Sequence, residues 1–73
     1  MDEEALVTSI RKFLKTVGVN SQREIEQALA RASEQGGLAA TKELPVAMTL
    51  EVPALQLKVR FDGQLKLQQE GDA

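Results

Sequence analysis

The chain predicts an α+β domain in which a helical hairpin precedes a three-stranded antiparallel meander (ααβββ). Three observations carry that expectation. Apolar residues recur at spacings of three and four through the first half. After Pro45 the spacing changes to strict alternation. Gly- and Pro-containing steps fall where such elements would have to end.

The first predicted helix carries Leu6, Ile10, Phe13, Leu14 and Val17 on one face, with Val7 at its edge. Arg11, Lys12 and Lys15 point the other way. Glu3 and Glu4 stand in the first turn, where the positive end of the helix dipole favours acidic groups. Gly18 follows Val17 and is expected to stop the helix in a left-handed conformation. Ser21-Gln22-Arg23-Glu24 has the form of a capping box, so a second helix is expected from Ser21, with a small apolar face of Ile25, Ala28, Leu29 and Ala32. Gly36-Gly37 ends it.

Residues 38–45 read either as loop or as one further helical turn before Pro45. Val46, Met48, Leu50 and Val52 then alternate with polar or small residues. So do Leu55, Leu57, Val59 and Phe61, and finally Leu65 and Leu67. Pro53-Ala54 is expected to make the first turn. Asp62-Gly63 is expected to make the second, through a loop Phe61-Asp62-Gly63 with Gly63 as a left-handed bulge. That register places Thr49, Lys58 and Lys66 in one row on the outer face, with Arg60 diagonal to the lysines. Residues 1–69 are expected to form one domain, with 70–73 as a disordered tail.

Composition narrows the function. The chain has 73 residues, net charge −2, and neither cysteine nor histidine. Disulfide and conventional zinc staples are therefore excluded. The acidic start Met1-Asp2-Glu3-Glu4 is unlike a signal peptide, and no stretch reaches the roughly 20 apolar residues of a membrane span. A soluble, cytoplasmic protein with no membrane association is expected. Serines 9, 21 and 33 have structural explanations, and Gly36-Gly37 follows a helix where a phosphate-binding loop would precede one. No catalytic residue, cofactor or metal is expected, and the chain is expected not to be an enzyme.

The run Ser9-Ile10-Arg11-Lys12-Phe13-Leu14-Lys15-Thr16-Val17-Gly18-Val19-Asn20-Ser21-Gln22-Arg23-Glu24-Ile25-Glu26 resembles the signature of a family of small bacterial proteins known only as a domain of unknown function. The likeness extends to the Leu44-Pro45 step and the Asp62-Gly63 pair. Asn20 stands where Thr is expected, and both residues serve near a helix start. The resemblance implies a free-standing domain and brings no activity or cofactor. Caps and core explain much of the signature but leave Arg11, Lys12, Lys15, Gln22 and Arg23 unexplained.

Those five residues, with Lys58, Arg60 and Lys66 on the sheet, are the candidate partner-binding surface. The expected partner is a protein or a second copy of the chain. A winged-helix-like nucleic-acid binder is the alternative, with the second helix reading bases through Gln22, Arg23, Gln27 and Arg31. Glu24, Glu26 and Glu34 on that same helix, and the net charge of −2, weigh against it.

Overall fold

A computed structural model describes residues 1–68. The expected tail at 70–73 lies outside the described residues. Within them the element order is α1 (Glu3–Glu34), β1 (Glu43–Val52), a single 3-10 turn (Pro53–Leu55) and β2 (Leu57–Lys66). The α+β class stands, but the helical hairpin and the three-stranded meander do not. One long helix and one two-stranded antiparallel sheet replace them. The chain divides into two compact units, Met1–Leu38 and Ala39–Ala73.

Helix α1 runs uninterrupted for 32 residues, about 48 Å at 1.5 Å per residue. Asp2 caps its start, the carboxylate accepting from the Ala5 N–H at 3.1 Å. Its end is a Schellman motif. The Gly36 N–H donates to the Ser33 carbonyl at 2.9 Å and the Gly37 N–H to the Ala32 carbonyl at 3.1 Å. Gly36 takes φ +74°, which explains the glycine at that position.

The expected stop at Gly18 is absent, because Gly18 and its neighbours stay helical. The apolar phase explains why. Val17, Ser21 and Ile25 follow at steps of four, so the stripe of the first half continues directly into that of the second. The half-buried positions of the helix, Val17, Ser21, Ile25, Leu29 and Ala32, trace this single line. A break would leave four N–H and four C=O groups without helical partners, whereas a helical glycine costs only about 1 kcal/mol relative to Ala. Ser21 is accordingly an interior residue, not a cap. An added Cβ at Gly18 would meet nothing within 4 Å. Gly18→Ala is therefore expected to stabilise the helix by about 1 kcal/mol, read as raised helicity and melting temperature in circular dichroism. A loss of helicity would show that Gly18 is needed as a turn.

Residues 35–40 form turns, which excludes a continued regular helix there, and β1 already begins at Glu43. The first turn falls where Pro53 placed it, though it is longer than expected. Pro53–Leu55 makes a 3-10 turn, and Gln56 closes it in the left-handed region at φ 54°. Leu55 is consequently part of the turn, not of a strand.

The second expected turn does not form. Asp62 and Gly63 lie inside β2, opposite Ala47 and Val46. Val59, Phe61, Gly63 and Leu65 keep an unbroken period of two, so extending the ladder preserves the alternation that a turn would interrupt. Ten residues of β2 pair with ten of β1. A strand drawn from residues 65–68 alone would offer far fewer partners. Gly63 does not take a positive φ, and its open side faces the Val46 side chain, where a Cβ would sit at 3.6 Å.

Candidate functional site

The register sorts the hairpin into two chemically distinct faces. Directly opposed residues of an antiparallel pair share a face. One face carries the pairs Leu44–Leu65, Val46–Gly63, Met48–Phe61, Leu50–Val59 and Val52–Leu57, with no polar side chain. The other carries Glu43–Lys66, Pro45–Gln64, Ala47–Asp62, Thr49–Arg60 and Glu51–Lys58. At about 3.3 Å per residue the apolar row from Leu44 to Val52 is roughly 26 Å long.

No side chain is buried among the described residues. On the apolar face Met48 is 44% exposed and Phe61 59%. A phenyl ring facing a thioether would normally be core, since full burial of such side chains stabilises by about 1.5–3 kcal/mol each. The helix shows the same unspent apolar character, with Ile10 at 47% and Phe13 at 55%. Contiguous exposed apolar surface of this kind marks interaction sites.

The residues proposed from sequence separate into two groups. Helical geometry sets Lys12, Lys15 and Arg23 on the side of α1 away from the half-buried line, with Arg11 and Gln22 at its flank. All five are exposed. Their surface is not purely basic, because the Gln22 Nε2 donates to the Glu26 carboxylate at 3.0 Å.

Lys58, Arg60 and Lys66 share the polar face of the hairpin, but not as the row expected. Lys58 opposes Glu51 at 3.7 Å, Lys66 opposes Glu43, and Arg60 opposes Thr49. Arg60 also donates through Nε to the Asp62 carboxylate at 2.9 Å. The longer Pro53–Gln56 turn shifts β2 by two residues along β1, and the missing second turn moves Lys66 from Lys58 to Glu43, so a strip of mixed sign replaces the expected basic one. Sequence reasoning missed the completeness of the apolar face, above all the Met48–Phe61 pair. The signal was the alternation running unbroken from Leu57 to Leu65.

Two shallow depressions lie on α1, one of about 260 Å³ beside Lys15, Thr16, Val19 and Asn20, and one of about 570 Å³ beside Asp2, Glu4 and Lys12. Each is lined from successive turns of one helix and lacks an opposing wall to enclose a small molecule. Among the described residues no helix is long and apolar enough to cross a membrane.

The sequence profile of a family of unknown function, DUF6494, matches residues 1–68. The chain belongs to this family. The match spans both units, so α1 and the hairpin are both parts of the DUF6494 pattern. No curated protein matches the chain, and no solved structure matches it.

Proposed function

We propose that this DUF6494 member is a non-enzymatic protein-interaction module whose principal working surface is the apolar face of the β-hairpin. The observation that carries this reading is the five-pair apolar row with Phe61 and Met48 opposed and exposed at its centre. Aromatic and methionine side chains are enriched where partners dock, because they bring large contact area at small conformational cost. The charged far face keeps the hairpin hydrated on one side and leaves the other for a partner. Lys12, Lys15 and Arg23 form an auxiliary surface on α1 that would favour acidic groups on a partner.

The nucleic-acid alternative depends on a turn between two helices, and α1 has none, so among the described residues there is no separate recognition helix to enter a groove. Affinity capture from native lysate, with and without nuclease, tests the reading. The expected result is a discrete protein partner retained after nuclease treatment. Loss of all captured material on nuclease treatment, with nucleic acid recovered beforehand, would overturn it.

A further inference from the structure

Among the described residues the hairpin has two edges without a strand partner, and they are not equivalent. The Leu67 N–H donates to the Lys42 carbonyl at 2.8 Å, across the continuation of the register. That bond sets the phase of the ladder. The inward-facing backbone groups belong to the apolar pairs, and the outward-facing ones to the polar pairs. On the β1 edge the outward residues include Pro45, which has no N–H to offer. On the β2 edge they are Lys58, Arg60, Asp62, Gln64 and Lys66, each with both a donor and an acceptor. One edge is blunted and the other is an uninterrupted template.

We infer that the β2 edge pairs antiparallel with the β2 edge of a second copy, about a two-fold axis through Phe61. This rests on the interaction-module reading and adds to its apolar face a second surface, the β2 edge, with one named partner. Charge complementarity selects the register. With the axis at Phe61, Arg60 opposes the second copy's Asp62 and Asp62 its Arg60, while Lys58 and Gln64 oppose each other. No like charges meet. Moving the axis by one residue sets Arg60 against Arg60, or Asp62 against Asp62 together with Lys58 against Lys66. Moving it by two sets Lys58 against Arg60, or Arg60 against Lys66. In the favoured register Arg60 and Asp62, already paired at 2.9 Å within one strand, join their counterparts in a ring of alternating sign.

The apolar rows merge as well, Leu57 against Leu65, Val59 against Gly63 and Phe61 against Phe61. A two-stranded hairpin alone is marginal in water, and the four-stranded sheet β1-β2-β2-β1 passes the size at which sheets hold together. Its outer edges are then both β1 edges carrying Pro45, so pairing stops at the dimer.

The test is the mass of the full chain in solution by sedimentation or light scattering from micromolar to millimolar concentration. The wild type is expected to dimerise. Arg60→Asp and Asp62→Arg should each weaken self-association about tenfold or more, since each turns two attractive cross-strand pairs repulsive. Both side chains are about two-thirds exposed, 67% and 66%. An equimolar mixture of the two variants should recover dimer, because each Asp then meets an Arg of the other chain. The double variant should also recover it. A wild-type monomer at every concentration, or a mixture that stays monomeric, would overturn the proposal. So would a dimer indifferent to these charges, although such a dimer would leave the interaction-module reading standing on a different surface. Lysate capture addresses that reading independently.

Discussion

Asn20→Pro is expected to destabilise α1 by about 3 kcal/mol and to cut its helical circular dichroism signal sharply. Within a continuous helix the substitution removes the N–H that would donate to the Thr16 carbonyl, and the ring clashes with that carbonyl. The surrounding sequence makes the experiment decisive. In a helical hairpin turning at Gly18-Val19-Asn20, position 20 lies just before the cap at Ser21, outside both helices. A proline there would be tolerated at small cost. The two architectures therefore predict different signs of tolerance at one residue. Unchanged helicity and melting would disprove the continuous helix and return the hairpin. The Gly18→Ala expectation probes the same junction from the opposite direction, by adding helix propensity where Asn20→Pro removes it.

The boundaries of the elements were legible wherever one residue has one physical use. Glu3 and Glu4 marked the first turn, Gly36-Gly37 the C-terminal motif, and Pro53 the bend between strands. The errors arose at signals with two uses. Gly18 followed by Ser21-x-x-Glu24 is good punctuation, but punctuation acts only if the apolar phase breaks with it, and the phase from Val17 to Ile25 is intact. Asp62-Gly63 is a strong hairpin signal in isolation. Its effect depends on what the flanking residues would then pair with, and a ten-residue ladder on β1 outcompetes a short third strand.

Both errors have the same form, a local motif given more weight than the periodicity running through it. The candidate site reflects both turns, since the longer Pro53–Gln56 turn moves Lys58 from Thr49 to Glu51 and the absent second turn moves Lys66 from Lys58 to Glu43. Lys58, Arg60 and Lys66 were correctly placed on one face, but their cross-strand partners follow from register. A shift of register changes a basic strip into one of mixed charge. The apolar face was visible only as alternation, and its exposure is a tertiary property that no local pattern encodes.

That exposure yields the second large effect. The double substitution Met48→Lys, Phe61→Glu is expected to weaken capture of a protein partner at least thirtyfold while leaving the hairpin formed. The central pair of an interface commonly includes residues whose truncation costs 2 kcal/mol or more, and charges there would also have to be desolvated on binding. Choosing opposite charges keeps the hairpin itself supported, because the two positions face each other directly across the ladder and would attract. Neither residue is buried, Met48 being 44% and Phe61 59% exposed, so no core packing is lost. Hydrogen exchange of the β1 and β2 amides would report that the hairpin persists, and quantitative capture would report the affinity. Undiminished capture would remove the apolar face from the function and transfer the working surface to α1. There Lys12→Glu with Lys15→Glu would then have to abolish binding. The fold permits that division because each unit carries its own surface, one apolar on the hairpin, the other charged on the helix, and a single partner need not use both.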